Sequence, residues 1–304
     1  MCKQQYLYTM YYLVYGFLYL VSLLPFFILY LFGDFIYLLM YYVFKYRNEV
    51  VMSNLAIAFP EKSPTDRKKI ARGFYKNFVD TFIETIKLIS LSDRQFDKRC
   101  TGDFRLINGI AAKGKNIQMM GGHQFNWEFV NLLFSRRIDI PFIGVVANVE
   151  NKVLNRIYFN FRARYGTILI PNTSFQRKMI ELMKKQYSIG LLADQNTYPG
   201  KAYWLNFFGK PVPFIMGPHR AAVKNNGVVV YYNFKKGKRG YYHFEVYEIV
   251  ENAENFTPEE LALKYRDHLE TIIRKQPENY LWSHRRWKHV YDKSYSKQWI
   301  DRSE

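Results

Sequence analysis

The sequence predicts an α/β fold: a mixed, mostly parallel sheet flanked by helices, with a membrane helix at the N-terminal end. Three observations predict it. Gln4 to Gly33 carries no charge, a run longer than one bilayer crossing requires. Apolar residues then recur at helical spacing from Ile70 to Ile89. Beyond Gly102, short apolar runs alternate with helical stretches, the pattern of a parallel sheet covered by helices.

Within the uncharged run a membrane helix is expected near Tyr11 to Leu31. Pro25 and Gly33 are positioned to kink or end it. The apolar stretch from Phe35 to Phe44 is expected in or under the membrane interface, which the many Tyr side chains favour. The run is too long for a signal-peptide core, and no small-residue cleavage site follows it. Lys3 stands alone before it, whereas Lys45, Arg47, Lys62, Arg67, Lys68 and Lys69 follow. Positive residues stay on the cytoplasmic side, so a single-pass anchor over residues 1–45 and a cytoplasmic body over residues 46–304 are expected.

In the body, Ser63-Pro64-Thr65-Asp66 is a helix start, a polar cap with Pro in the first turn. The apolar stripe Ile70, Phe74, Phe78, Phe82, Ile86, Ile89 should face the core, with Lys69, Arg72, Lys76, Asp80 and Lys87 on other faces. Strands are expected at Ile117 to Met120, Phe142 to Val146, Thr167 to Ile170 and Ile189 to Ala193, with helices between them. Val228 to Phe234 and Tyr241 to Glu248 should pair as a hairpin, and a last helix should run from Pro258 to Arg274.

Composition narrows the class. The 304 residues are 49% hydrophobic and 18% aromatic, which excludes a disordered chain. Two cysteines, Cys2 and Cys100, exclude a disulfide scaffold and suit a reducing compartment. After the N-terminal run nothing approaches the ~18 uncharged residues of another span, which excludes a polytopic transporter. The net charge of +18 attracts polyanions: nucleic acid, an anionic membrane, phosphorylated ligands or an acidic carrier protein. The 26 Tyr and 25 Phe among many Lys and Asn are also what an A+T-rich genome would produce.

The segment Gly121-Gly122-His123-Gln124-Phe125-Asn126-Trp127-Glu128 lies where a strand ends and a helix begins, where parallel sheets place their ligands. The glycines would let a substrate approach the backbone. Asn126 is a good N-cap, and Glu128 falls in the first helical turn, where the dipole keeps a carboxylate ionised. An ionised Glu128 within reach of His123 would fix the imidazole tautomer and make His123 a general base for an alcohol. The alternative is a structural histidine at a helix start. No Gly-x-Ser-x-Gly elbow and no His-Glu-x-x-His or paired cysteines occur, which disfavours a serine hydrolase and a zinc enzyme. A base without an enzymic nucleophile points to direct attack of a substrate hydroxyl on an activated acyl group, such as a thioester. Gly109 to Asn116 nearly fits a phosphate-binding loop, but it precedes its strand and has Asn where a magnesium-holding Ser or Thr belongs.

These residues carry a resemblance. The chain resembles the late acyltransferases of lipid A biosynthesis (lauroyl/myristoyl-type), a branch of the lysophospholipid acyltransferase group. The shared signature is a His, four residues, then an acid, here His123 to Glu128. The likeness extends through Asn54 to Glu61, Arg162-Ala163-Arg164-Tyr165-Gly166, Leu192-Ala193-Asp194-Gln195, Phe207 to Pro211, and Pro277 to Lys288. Phe125 departs from the family, which more often has Gly there.

The resemblance implies a glycerolipid-acyltransferase-like fold at the cytoplasmic face of the bacterial inner membrane. It implies transfer of a fatty acyl chain from acyl carrier protein, or from coenzyme A, to a hydroxyl of a phosphorylated glycolipid, the lipid A precursor. No cofactor, metal or nucleic acid is expected. His123 would be the base and Glu128 its partner, while Asn126, Arg164, Asp194 and Gln195 would contact substrate. Arg164 is alternatively a helix-terminal residue near carbonyls, and Asp194-Gln195 a satisfied turn. His219 is not a family feature and reads as structural. Basic clusters at Lys235, Lys236, Lys238 and Arg239, and at Arg285, Arg286 and Lys288, would serve carrier protein, lipid phosphate or the anionic leaflet, or be solvated. Other readings are a lysophospholipid, aminolipid or other glycolipid as acceptor, or a non-catalytic membrane adaptor.

Overall fold

A computed structural model describes residues 2–301. Helix α1 spans Cys2–Leu23 and α2 spans Phe26–Leu38, continued by a π-helical turn Leu39–Val43. Then come α3 (Asn48–Ala58), α4 (Pro64–Leu88), α5 (Asp93–Arg99), β1 (Cys100–Gly102) and α6 (Arg105–Ala112). The central units are β2 (Ile117–Gly121), α7 (Trp127–Arg137), β3 (Phe142–Val146), α8 (Lys152–Arg162), β4 (Ile168–Pro171), α9 (Phe175–Leu182) and β5 (Ser188–Leu192). A hairpin of β6 (Ala202–Phe207) and β7 (Lys210–Ile215) leads to α10 (Gly217–Lys224), β8 (Val228–Lys236), β9 (Tyr242–Val250) and α11 (Pro258–Lys275).

The seven-stranded sheet has the order β1-β9-β8-β2-β5-β3-β4. β8, β2, β5, β3 and β4 run parallel, while β9 pairs antiparallel with β8 and carries β1 parallel to itself. This is the mixed, mostly parallel sheet flanked by helices that the alternating pattern predicts. Short apolar runs become central strands because both faces are covered, and every residue of β2 is buried. The β6–β7 hairpin, which the apolar pattern does not predict, carries the Phe207 to Pro211 motif at its turn. Phe208 and Gly209 take positive φ angles of 50° and 72° at its two-residue turn, which a primed hairpin turn requires.

Two N-terminal expectations need correction. The chain does break at Pro25, as Pro demands, but the break splits the segment Tyr11 to Leu31 between α1 and α2. The helix long and apolar enough to cross a membrane is instead Phe26–Val43, with α1 contributing a shorter apolar stretch, Leu7–Leu23. Gly33 does not end a helix; it lies within α2, where the side chains of Ile83 and Val79 approach its backbone. The side chains of Cys2 and Lys3 lie outside the described residues; Cys100 is a free, buried thiol.

Helix α4 is buried on more faces than its apolar stripe predicts. Phe82 points outward, while Asp80, Glu84 and Lys87 are buried. The reason is that α2 packs along the side of α4 that the sequence assigns to water. Arg239 bridges the two helices, meeting Asp34 at 2.8 Å and Asp80 at 2.7 Å. Tyr30 donates its hydroxyl to Glu84 at 3.0 Å. Lys87 donates to the carbonyls of Ser22 and Leu24 at the α1–α2 corner, satisfying groups that a helix end leaves open. The opposite faces of α1 and α2, including Phe17, Leu20, Phe27, Leu31 and Phe35, are exposed.

Candidate active site

The site grows from sheet register. β2 and β5 are parallel neighbours in which Gly121 is level with Leu192. Two residues further along each chain stand His123 and Asp194, brought side by side where both strands have ended. His123 Nδ1 lies 2.6 Å from Asp194 Oδ1, and the His123 backbone N–H donates to Oδ2 at 2.9 Å. Asp194 is fully buried, whereas the imidazole keeps about a fifth of its surface open. Burial alone would raise the Asp194 carboxyl. The His123 charge and hydrogen bonds from the His123 ring and its backbone N–H, with the nearby Tyr280 hydroxyl adding to them, overcome it and hold the group at about 2. With Nδ1–H committed to this carboxylate, Nε2 is the free nitrogen.

The expected His123–Glu128 pair is therefore replaced by a His123–Asp194 pair. Glu128 is buried, and Arg162 at the end of α8 grips its carboxylate in a bidentate fork, with Nε donating to Oε2 at 2.8 Å and Nη2 to Oε1. The first helical turn does place Glu128, as expected, but it points toward α8 and its cation.

Asn126 is the N-cap of α7, its Oδ1 accepting the Glu128 N–H at 3.0 Å. Its side chain is wholly buried, and its Nδ2 donates to Glu84 at 3.2 Å, so it faces the protein interior instead of a substrate. Glu84 also accepts from Tyr242 at 2.6 Å. Burial raises its carboxyl, partly offset by the Lys236 charge. This one carboxylate thus joins α2, α4, β9 and the His123 loop.

The glycines serve packing. A side chain at Gly121 would meet the Tyr232 ring at 2.3 Å, and one at Gly122 would meet Leu269 at 2.8 Å. The space beside the backbone that the sequence suggests for substrate is filled by these side chains.

Arg164 is engaged elsewhere: it donates to the Leu88 carbonyl at 3.1 Å and pairs with Asp93 at 2.9 Å, tying the ends of α4 and α8 together. Gln195 follows Asp194 and is half-buried. His219 is buried against Tyr265, and burial pushes its imidazole down to about 3, in keeping with a structural role.

The motifs at the two ends of the chain meet over this loop. The Leu281 N–H donates to the His123 carbonyl, and the Phe125 N–H donates to the Asn279 carbonyl. Asn54 from α3 donates to the carbonyls of Trp282 and His284, both at 2.7 Å. His284 Nε2 accepts the Asn196 N–H at 3.1 Å, and burial pushes this second imidazole down to about 4.

The basic clusters are less free than their sequence suggests. Lys236 is buried on Asp80, Arg239 is shared by Asp34 and Asp80, and Lys235 meets Glu245. Arg286 is buried between Phe207 and Phe214, donating to the Pro213 carbonyl.

The sequence matches the family described as "Bacterial lipid A biosynthesis acyltransferase" over residues 2–289. The chain belongs to that family. It is similar to the lipid A biosynthesis acyltransferase of Haemophilus influenzae, 19% identical over 243 residues that cover 78% of this chain and 74% of the relative. It is also similar to lipid A biosynthesis acyltransferase 2 of Shigella flexneri, 20% identical over 243 residues that cover 75% of this chain and 74% of the relative. As a member of the lipid A biosynthesis acyltransferase family, the chain is an acyltransferase.

Of the residues the sequence singled out, the fold brings His123 and Asp194 together. Arg162 and Tyr280 lie within the family-like motifs but without a predicted role, and nothing in the sequence points to Glu84. The Arg162-Ala163-Arg164 motif offers two arginines two positions apart, and only Arg162 lies on α8 itself.

Proposed function

We propose that this chain moves a fatty acyl group, of the lauroyl or myristoyl class, from an acyl carrier protein thioester to a free hydroxyl of a phosphorylated glycolipid, the lipid A precursor. The work is done at the cytoplasmic face of the bacterial inner membrane, where the apolar face of α1 and α2 meets lipid. The observation that carries the reading is the His123–Asp194 pair at the ends of β2 and β5, with one imidazole nitrogen anchored and the other free.

His123 Nε2 takes the proton of the acceptor hydroxyl as its oxygen attacks the thioester carbonyl carbon. Asp194 stabilises the imidazolium that forms and keeps Nε2 in the accepting tautomer. The tetrahedral intermediate collapses with cleavage of the C–S bond, and the imidazolium returns its proton to the departing thiolate. No enzyme nucleophile is consumed. Glu128 and Arg162 act as positioning residues that fix the first turn of α7 behind the His123 loop.

The test is acyl transfer by full-length protein in detergent or vesicles, followed by mass spectrometry of the lipid. Wild type should add one acyl chain to the lipid A precursor, and His123→Ala should add none. Transfer by His123→Ala at the wild-type rate would sink the mechanism. Addition to a lysophospholipid or an aminolipid, and not to the precursor, would move the acceptor.

A further inference from the structure

A second feature lies apart from the His123 loop. Beyond the C-terminal end of α11 the sheet face is uncovered, leaving a cleft of about 500 Å³ over β8, β9 and β1. Lys98 and Arg99 from the end of α5, His243 on β9 and Lys275 at the end of α11 line it. Its acid, Glu245, is already neutralised by Lys235 at 2.7 Å. Lys98 and Lys275 are exposed and have no carboxylate partner among the described residues. His243 Nδ1 is occupied by the Thr101 hydroxyl at 2.8 Å, leaving its other nitrogen toward solvent. The cleft therefore carries surplus positive charge around a headgroup-sized space.

Arg99 links the cleft to the N-terminal helices. The Arg99 guanidinium stacks 3.5 Å from the centre of the Phe26 ring and 4.6 Å from that of Tyr241. Phe26 begins α2, and its neighbours Leu23 and Phe27 are 53% and 65% exposed. A charged pocket at the foot of an exposed apolar ledge matches one kind of molecule, with an anionic head and hydrocarbon tails.

We propose that this cleft binds the phosphate headgroup of an anionic phospholipid while its acyl chains lie against the exposed face of the α1–α2 corner. The site would fix the height and rotation of the protein on the bilayer. Its readout is membrane partition, so it stands or falls independently of acyl transfer.

The experiment is flotation of full-length protein with vesicles of phosphatidylcholine alone or of phosphatidylcholine with one-third phosphatidylglycerol. Lys98→Glu/Lys275→Glu should lower partition to the anionic vesicles by about tenfold or more and leave partition to neutral vesicles unchanged. A matched control, Lys178→Glu/Lys224→Glu on the exposed faces of α9 and α10, should lower it far less. An equal drop in the control would mean diffuse charge attraction and overturn the site. An unchanged double variant, or one that also leaves neutral vesicles, would overturn it too. So would inorganic phosphate binding lost in the variant while vesicle partition holds, or acyl carrier protein binding lost on the same terms; the cleft would then take free phosphate or the carrier.

Discussion

Asp194→Asn removes one negative charge and leaves side-chain volume almost unchanged. Its effect should fall on chemistry more than on folding. In wild type Asp194 accepts from His123 Nδ1 at 2.6 Å and from the His123 backbone N–H at 2.9 Å. An amide in this place still accepts the backbone N–H through its oxygen, but its NH2 then faces Nδ1. The ring must present a lone pair there, moving the proton to Nε2, the nitrogen that has to receive one from the substrate. The anion that stabilises the imidazolium is also gone, and losing one partner of a buried charge pair costs about 3–5 kcal/mol. That corresponds to roughly 10²–10⁴ in rate, with the loss in kcat and little change in KM.

Folding is affected by a separate route. The Asp194 carboxyl sits at about 2 against an ordinary 3.8. A depressed carboxyl adds stability above its unfolded value and loses it as pH falls through the folded one. Wild type should thus lose roughly 2 kcal/mol between about pH 4 and pH 2, and Asp194→Asn should lack that component of its acid denaturation. The assay is steady-state transfer from carrier-protein thioester at saturating acceptor, alongside urea unfolding across this pH range. A folded Asp194→Asn enzyme with near wild-type kcat would refute the orienting role of Asp194.

Other perturbations test the supporting structure. Arg162→Met should strand the buried Glu128 charge and cost about 3–5 kcal/mol, and Glu128→Gln in the same chain should recover much of it; urea midpoints of the four members of the cycle measure the coupling. Glu84→Gln should cost less than Glu84→Ala, because the amide oxygen keeps an acceptor in place, whereas Glu84→Ala leaves Tyr30, Asn126 and Tyr242 without theirs and should cost about 1–3 kcal/mol per stranded group. Gly121→Ala should destabilise the loop and lower kcat, because Tyr232 is too close to its new methyl group. Deleting the residues before Lys45 should leave a body with a lowered melting temperature and a tendency to aggregate, since Lys87, Glu84 and Asp80 lose α1–α2 partners or cover.

The central strands were legible because a parallel strand buried on both faces writes itself as an apolar run; Phe142 to Val146 agrees residue for residue, and the β8–β9 pair to within two residues at each end. The last helix was equally plain, expected over Pro258 to Arg274 and found over Pro258–Lys275, where Thr257 and Glu260 close a capping box around Pro258. β6 and β7 were not, since the Lys210 to Ile215 run contains two prolines that argue against a strand, and an edge hairpin tolerates them. The site was half legible. A His with an acid five residues on invites a local pairing, but a helix start throws that acid toward the neighbouring helix. The true partner is 71 positions away in sequence and becomes adjacent only through the β2–β5 register. The buried charges of α4 were illegible for a related reason: whether Asp80 faces water depends on α2 folding back over it.

The polar seam between α2 and α4 bears on how the protein meets a bilayer. Asp34 lies inside the apolar stretch Phe26–Val43 and shares Arg239 with Asp80. If α2 swung away to thread the hydrocarbon unaccompanied, Asp34 would go in without its guanidinium, at about 2.5–3.5 kcal/mol for the charge. Arg239 would lose half of its fork at the same time. The helix is in effect bolted broadside to the enzyme, more keel than mast. Tilting the keel must then tilt the loop bearing His123, because Tyr30 and Asn126 hang from the same carboxylate.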